Sequence, residues 1–378
     1  MIAETMGPAE RIMAAIELKA TDRVPCIPLM DVFFPSRHMG MTYAQAVDNL
    51  DDGTKAIMDV YDQMGGWDGL LLASYTWPLA PTLSSVCIVM PWKLPGKELP
   101  ADAIPQYDEK EVLTRQDYDE IIKFGWTGFA ERNWQRFWHR SMEQTLYWAK
   151  RQTTQYIKDA QAWKDKGVPS LAGAEVFSPL MFFSMKRTLV NFTMDLFEIP
   201  DKVAAAMDAV VDDFIKDSLE AISITKLPAV FLVLERGGCF YYPLRIFERF
   251  EFPYIKKMVE AFSKAGLITC LHFDQNWTLN LPYLKDLPKG KCICELDSCT
   301  DIFKAKEVLK GHMCIMGDVP AALTTLGKPE EVDEYCRKLI KEIGRDGGFI
   351  LSSGCAVPAD CTFENFKAMV QSVKKYRP

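Results

Sequence analysis

Long apolar runs are absent from this sequence of 378 residues. No window reaches the roughly 18–20 apolar residues that a bilayer span requires, and the first residues lack the basic and apolar regions of a secretory signal. Acidic residues outnumber basic ones, and the formal net charge of −7 provides no electrostatic footprint for nucleic acid or an anionic membrane. We therefore expect a cytoplasmic protein that binds neither nucleic acid nor membranes.

Two familiar glycine motifs are missing as well. Neither the GxGxxG nor the GxxxxGK(S/T) pattern occurs, so Gly237-Gly238 is not a phosphate loop of either kind. The GxSxG nucleophile elbow is also absent. The chemistry of this chain must be sought in other side chains.

Cysteine, in contrast, is frequent, with eleven residues that we interpret as thiols rather than as a disulfide framework. Several lie inside apolar, strand-like runs, where cysteine acts as a small hydrophobe: Cys26, Cys87 and Cys314. Cys292 and Cys294, together with Cys299, superficially suggest a metal cluster. The first two would share a strand face, however, and no second cysteine-rich knuckle follows, so we interpret these three as structural.

Short apolar runs alternate with amphipathic stretches along the chain, most regularly after about residue 220. The runs that predict strands span 23–28, 69–74, 85–90, 169–174, 228–234, 267–272, 293–297, 313–318 and 348–353. Helical spacing of apolar residues predicts helices over 244–264, 301–310 and 329–344, the last ending at a C-cap glycine. Strand–helix alternation of this length favours either a (β/α)₈ TIM barrel, here with N-terminal helical additions, or a doubly wound sheet.

The segment 116–166 is predicted to be a helical insertion that is unusually rich in aromatic residues. We interpret its aromatic side chains as core or as a subunit interface, which would make the protein a homodimer. A cap that faces the substrate is the alternative. No repeat, low-complexity tract or glycine/serine linker divides the chain, so we expect a single domain over 1–378.

Polar side chains follow the carboxyl end of each late strand candidate. Glu235, His272 with Asp274, Asp297, Asp318 and Cys355 occupy these positions. In a TIM barrel such strand ends meet on one face, where active sites are built, whereas an open sheet gathers its ligands at one switch point. The pattern therefore favours the barrel and predicts its catalytic face.

His272, Asp274 and Cys355 form the candidate metal site. His272 ends an apolar run, and residues i and i+2 of a strand point to the same face, so Asp274 can reach the same ion. Cys355 follows Ser-Ser-Gly in a polar turn. One imidazole, one carboxylate and one thiolate make an open zinc site, with Cys239 as the best-placed spare ligand. The alternative is a hydrogen-bonded histidine–carboxylate pair without metal. The other histidines, His38, His139 and His312, lack such neighbours.

Several motifs together resemble the uroporphyrinogen decarboxylase superfamily, especially its cobalamin-dependent methyltransferase branch. They are PAERIMAAIEL from residue 8, DRVP from residue 22, GDVP from residue 317, GGFILSSGCAVP from residue 347 and ENFKAM from residue 364. The resemblance implies a TIM barrel whose zinc is held by His-x-Cys and by the cysteine of a Ser-Gly-Cys turn. His272 and Cys355 match these positions, Asp274 replaces the first cysteine, and Glu235 is placed as a fourth ligand or a substrate contact.

This resemblance implies transfer of a methyl group between a small methylated molecule and the cobalt of a corrinoid. Because the chain lacks the cobalamin-binding Asp-x-His-x-x-Gly segment, we expect the corrinoid on a partner protein. Asp274 in place of a thiolate leaves the metal harder, which suits polarising an ether or phenolic oxygen. We therefore expect O-demethylation of a methoxylated donor, with Glu235, Asp297 or Asp318 as proton donor to the leaving oxygen.

Three alternatives stay open. The first is methyl delivery to a thiol or a tetrahydrofolate-type pterin, and the second is a non-catalytic barrel that binds a tetrapyrrole or stores metal. The third, decarboxylation of a porphyrinogen, fits poorly, because Asp31 stands where that enzyme has an arginine-bearing segment for the substrate carboxylates.

Overall fold

The structure, a computed structural model, describes residues 4–73, 92–138 and 142–378. Its main feature is a parallel sheet in which neighbouring strands follow the chain order. The strands are β3 (Ala172–Phe177), β4 (Ala229–Val233), β5 (Ile268–Phe273), β6 (Cys292–Leu296), β7 (Cys314–Val319) and β8 (Phe349–Ser353), preceded by an antiparallel pair, β1 (Trp92–Lys93) and β2 (Gln106–Tyr107). The six parallel strands are buried almost throughout, as expected for a sheet that is covered on both faces.

Two further segments close this sheet into a ring. Cys26 forms a parallel bridge with Leu351 of β8, and Leu70 forms one with Ser170, just before β3. The two segments also join each other, because the Asp68 N–H donates to the Cys26 carbonyl over 2.9 Å. The result is an eight-membered barrel with its core inside the ring and between the ring and the helices, so the predicted TIM barrel is confirmed.

Helices surround the barrel, and α1 precedes it as the predicted N-terminal addition. They are α1 (Pro8–Ile16), α2 (Phe33–His38), α3 (Tyr43–Asp48), α4 (Leu50–Met64), α5 (Asp117–Arg132), α6 (Trp134–Trp138), α7 (Met142–Asp165), α8 (Pro179–Arg187), α9 (Leu189–Glu198), α10 (Pro200–Thr225), α11 (Leu244–Phe250), α12 (Phe252–Lys264), α13 (Ile302–Leu309), α14 (Ala321–Leu326), α15 (Pro329–Glu342) and α16 (Phe363–Lys375). Short 3₁₀ helices lie at Leu281–Asp286 and Gly344–Asp346. Within the described residues, no helix combines the length and apolar character that a membrane crossing requires.

The strand predictions after residue 160 are confirmed to within a few residues, and the first half is less regular. Segments 23–28 and 69–74 contribute single bridges rather than full strands. The predicted strand 85–90, with Cys87, lies outside the described residues.

Two details of the helix predictions are wrong. The single helix over 244–264 is two, α11 and α12, because Pro253 has no N–H for the i→i−4 bond and Glu251 leaves the helical conformation. The glycine C-cap at Gly344 is also wrong. The backbone stays right-handed at Ile343 and continues into a 3₁₀ turn, and Gly347 adopts the positive φ of 73°.

The helical prediction for 116–166 is confirmed in the described residues by α5, α6 and α7. Trp126 and Trp163 are fully buried. The Trp126 ring packs edge-on against Phe182 of α8, with ring centroids 4.7 Å apart. These contacts support the interpretation as core for Trp126 and Trp163, whereas Tyr147 is exposed. The single-domain organisation over 1–378 and the homodimer stay predictions.

Candidate metal centre and active-site cavity

His272 lies near the carboxyl end of β5, fixed on both sides by the parallel register. It pairs with Val233 of β4 and with Glu295 of β6. The strand ITCLHF is buried along its whole length, and only 4% of His272 is exposed. The apolar run therefore places an imidazole at the catalytic end of the barrel, as the sequence predicts.

Asp274 and Cys355 lie beside this imidazole. Asp274 Oδ1 is 3.3 Å from His272 Nε2 without forming a hydrogen bond, and Cys355 Sγ is 4.0 Å from the same nitrogen. One ligand atom from each of the three residues lies within 4.8 Å of the others, and all three come from carboxyl ends of strands. The structure thus brings together the three residues that the sequence singled out.

The turn that carries Cys355 is held from both sides. The Gly354 N–H donates to the Val319 carbonyl over 2.9 Å, and the Val357 N–H donates to the Leu29 carbonyl over 2.9 Å. A Cβ at Gly354 would lie 2.8 Å from the Asp297 carbonyl oxygen, so this position requires glycine. The Ser-Gly-Cys sequence therefore lets the chain pass close to the β6 loop and brings the thiol to the site.

Glu295 is the residue at this site whose role the sequence did not reveal. Its Oε2 contacts His272 Nδ1, and the side chain is fully buried. Such a carboxylate fixes the orientation and tautomer of a ligating imidazole, leaving Nε2 for the ion. A charged residue inside the buried strand CICEL was the available signal.

The charges of the centre shift one another's pKa values. Burial alone lowers the pKa of His272, but the charges of Glu295 and Asp274 outweigh burial and raise it well above its usual range. Burial raises the pKa of Asp274 against the opposing effect of His272. Burial raises the pKa of the Cys355 thiol to about 11, against its hydrogen bond with His272. A bound divalent cation would favour the thiolate and the carboxylate and release protons.

The centre opens into a cavity of about 460 Å³. Most of its lining is apolar, and four aromatic rings take part: Phe33, Tyr107, Phe177 and Phe231. Its acidic side chains are Asp31, Glu175 and Glu235. Such a mainly apolar cavity with a few polar groups is typical of a small-molecule site.

Each of these three carboxyl groups has a raised pKa. Burial raises the pKa of Glu235 to about 7, with a contribution from the charge of Asp274. Burial likewise raises the pKa of Glu175 to about 7, with a contribution from Glu235. The pKa of Asp31 rises to about 7 through burial, although its Oδ1 accepts a 2.8 Å hydrogen bond from the Phe33 N–H. The sequence singled out Asp31 and Glu235 but missed Glu175, which lies in mid-strand rather than at a strand end.

Asp297 and Asp318 lie outside the cavity lining formed by the described residues. Asp297 accepts hydrogen bonds from the Gln275 and Cys299 N–H groups, over 2.7 and 2.8 Å. Asp318 accepts one from the Tyr335 hydroxyl over 2.8 Å, and burial raises its pKa to about 7. Of the three predicted proton donors, only Glu235 faces the cavity.

The remaining cysteines and histidines of the described residues join no three-residue cluster of metal-ligand type. Cys292 and Cys294 are buried in β6, and Cys239 Sγ lies 3.0 Å from the Asn276 carbonyl oxygen. His38 stacks on Phe363 with ring centroids 4.6 Å apart. His139 lies outside the described residues.

The side chains of the centre fit a zinc ion. Imidazole, carboxylate and thiolate are all ligands of Zn²⁺, and three protein ligands leave a position for substrate. Asp274 Oδ1 is buried and makes no hydrogen bond with any described residue, which is the state expected of an oxygen that serves a cation. Glu295 supplies the outer carboxylate that commonly supports a ligating histidine.

Known proteins are similar to this chain in sequence and in fold. A family model described as uroporphyrinogen decarboxylase (URO-D) matches residues 152–376, more than half of the chain. A methyltransferase from Methanosarcina mazei superposes with a TM-score of 0.69 at 15% sequence identity, over 98% of this chain and 99% of that one. At this identity the superposition shows a shared fold.

Two curated proteins are similar over part of their length. The methylcobamide:CoM methyltransferase MtbA of Methanosarcina mazei is 27% identical over 191 residues, which cover 48% of this chain and 52% of that protein. The protein of the same name from Methanosarcina acetivorans is 29% identical over 141 residues, which cover 37% and 38%. The matches therefore span about half or less of these relatives.

Proposed function

This chain belongs to the uroporphyrinogen decarboxylase (URO-D) family, and we propose that it is a zinc-dependent methyltransferase. In this proposal it moves a methyl group from a small methoxylated donor to the cobalt of a corrinoid carried by a partner protein. The observation that carries the proposal is the cluster of His272, Asp274 and Cys355 beside a mainly apolar cavity. The curated relatives, which are methylcobamide:CoM methyltransferases by name, support methyl transfer and a corrinoid partner.

His272, Asp274 and Cys355 would hold the ion, and Glu295 would orient the imidazole through Nδ1. When bound, Zn²⁺ supplies a Lewis acid that polarises the ether oxygen of the donor. A site with a single thiolate is a harder acceptor than one with two, and hard acceptors favour oxygen over sulfur. The donor set of this chain therefore favours an O-methyl compound.

Glu235 is the proton donor to the leaving oxygen. It lines the cavity two residues beyond Val233, which pairs with His272, so it stands at the level of Asp274. Burial keeps its pKa near 7, which suits a group that holds a proton at neutral pH and can release it. Asp297 and Asp318 hold backbone and tyrosine groups in the described residues and take supporting roles.

The transfer balances as one displacement. Cobalt(I) of the corrinoid supplies an electron pair to the methyl carbon, the carbon–oxygen bond breaks, and the oxygen takes the proton of Glu235. The products are methylcobalt(III) and an alcohol or phenol. The apolar, aromatic lining disfavours water beside the methyl group.

A second function, methyl delivery from the corrinoid to a thiol, is supported by the names of the curated relatives. Against it stands Asp274, because the activation of a thiol as nucleophile is favoured by an electron-rich, thiolate-rich site. A porphyrinogen substrate is disfavoured by Asp31, which lines the cavity and would repel substrate carboxylates.

The deciding experiment incubates zinc-loaded enzyme with cob(I)alamin and a panel of methoxylated donors, and follows methylcobalamin by its absorbance. Methylcobalamin formation that is lost in Glu235→Gln and Cys355→Ala supports the proposal. Methylation of a thiol by methylcobalamin without any donor demethylation would replace it with the second function. Turnover in neither direction, together with tight tetrapyrrole binding, would contradict both.

A further inference from the structure

The cavity carries its acidic groups on three different members of the barrel. Asp31 follows the first segment of the ring, Glu175 lies in β3, and Glu235 follows β4. Glu175 lies at the level of Phe231 and Cys270, two residues deeper than His272, while Glu235 stands two residues above it. A molecule in the cavity would therefore meet one carboxyl group at the deeper level of Glu175 and another at the upper level of Glu235.

These carboxyl groups have little to neutralise them. In the described residues the charge of His272 opposes burial at Glu175, the charges of His272 and Arg236 oppose it at Glu235, and Asp31 accepts backbone N–H groups. Asp31 is buried and Glu175 and Glu235 are half-buried, and a carboxyl group withdrawn from water in this way favours either a proton or a donor supplied by a ligand.

Arg236 is the arginine of the described lining, and it is already engaged. Its Nη1 lies 2.8 Å from Glu109 Oε1 and within 3.4 Å of both oxygens of Ser184. The lining that the structure describes contains no lysine. Away from the metal centre, an anionic substituent on a ligand would therefore meet carboxyl groups in the described lining rather than a free cation.

Four aromatic rings complete this lining, namely Phe33, Tyr107, Phe177 and Phe231. Aromatic faces accept a flat ring and also stabilise a nearby cation. The combination of rings and unpartnered carboxyl groups suits a ligand with a flat apolar body and a hydrogen-bond donor on its rim.

We propose that the donor is an aryl methyl ether without negative charge, bearing a hydroxyl or ammonium group that Glu175 accepts, and that the acidic lining excludes carboxylate-bearing analogues. This inference rests on the proposed function and deepens it, since it names the substrate class of the same site. Glu175 here is a specificity-determining residue that contacts the donor at the end away from the methoxy group.

The experiment uses three ligands with the same methoxyphenol ring, namely vanillyl alcohol, vanillylamine and vanillate, which are neutral, cationic and anionic. Binding to the zinc-loaded protein is measured by calorimetry, and kcat/KM is measured by methylcobalamin formation. We expect the alcohol or the amine to exceed vanillate at least about tenfold in affinity and in kcat/KM, because the described lining away from the metal centre presents carboxyl groups and no free cation to the carboxylate of vanillate. The better of these two ligands shows whether Glu175 accepts from a hydroxyl or from an ammonium group.

Glu175→Gln keeps the shape of the side chain and removes its charge. We expect this variant to reduce the discrimination against vanillate about tenfold, mainly through a lower Kd and KM for vanillate. Glu220→Gln, at an exposed position on α10, makes the same chemical change away from the cavity and should leave the discrimination intact.

Equal or tighter binding of vanillate to the wild-type protein would overturn the inference, and so would an unchanged preference in a folded Glu175→Gln variant. Binding of none of the three ligands would overturn the assignment of the cavity to an aryl ether. The proposed function fails differently, through the absence of methylcobalamin from every methoxylated donor of the panel.

Discussion

Cys355 Sγ lies 4.0 Å from His272 Nε2, although 83 residues separate them in the chain. His272 belongs to β5 and Cys355 follows β8, so the contact reaches across the mouth of the barrel. It depends on the closure of the ring and on the turn at Gly354, which passes close to the Asp297 carbonyl group. Formation of this site therefore requires an intact barrel.

Removal of either contact partner should remove the metal. We expect His272→Ala and Cys355→Ala to retain the fold but to lose bound zinc, measured by elemental analysis of the purified protein, because three protein ligands leave little redundancy. Cys299→Ala is the matched control, since this exposed cysteine lies outside the cluster. Zinc content that is unchanged in both ligand variants would show that the ion, if any, binds elsewhere.

Asp274→Cys should make the metal of this site a softer acceptor, because a thiolate replaces a carboxylate. With cobalt(II) in place of zinc, we expect the sulfur-to-metal charge-transfer absorbance to rise about twofold, because two thiolates replace one. We also expect kcat/KM to fall for the methoxylated donor and to rise for methyl delivery to a thiol. An absorbance equal to that of the wild type would mean that residue 274 is not a ligand.

Glu295→Gln should weaken metal binding without removing a ligand. The carboxylate that contacts His272 Nδ1 orients the ring and makes it more basic, and the loss of such a partner commonly costs about 10–100-fold in metal affinity. Competition with a chromophoric chelator measures this change. Asp297→Asn, which alters a nearby carboxylate outside the cavity lining, provides the comparison. Equal affinities in the wild-type protein and Glu295→Gln would assign Glu295 a purely structural role.

Glu251 should make the protein less stable as the pH rises. Its Oε1 accepts a 2.8 Å hydrogen bond from Ser178, and burial nevertheless raises its pKa to about 8. Since the pKa in the unfolded chain is lower, this contribution to stability is complete below about pH 4.5 and is lost as the pH rises to about 8. In Glu251→Gln the loss should disappear.

The measurement is chemical denaturation of both proteins at several pH values. Between about pH 5 and pH 8 the free energy of unfolding of the wild type should fall, relative to that of Glu251→Gln, by an amount on the order of 3 kcal/mol. Parallel pH profiles for the two proteins would contradict the pKa that burial imposes.

Much of this architecture can be predicted from the sequence. The runs that form β4 to β8 are continuous and apolar because parallel strands are buried on both faces, and the polar residues that follow them favour a barrel over an open sheet. His272 and Asp274 stand two residues apart at a strand end, which places both on one side of the strand. Sequence alone thus indicated the fold class and the three residues of the candidate centre, His272, Asp274 and Cys355.

The tertiary structure decided which strand ends meet in the cavity. A polar residue after a strand either faces the cavity, as Glu235 does, or accepts backbone N–H groups, as Asp297 does, and local sequence cannot distinguish these outcomes. Glu295 and Glu175 acquire their roles from the register between strands, which sets the neighbours of each inward side chain. The periodicity of a strand predicts which side chains share a face of that strand. Contacts between strands depend instead on the hydrogen-bonded register and on closure of the barrel.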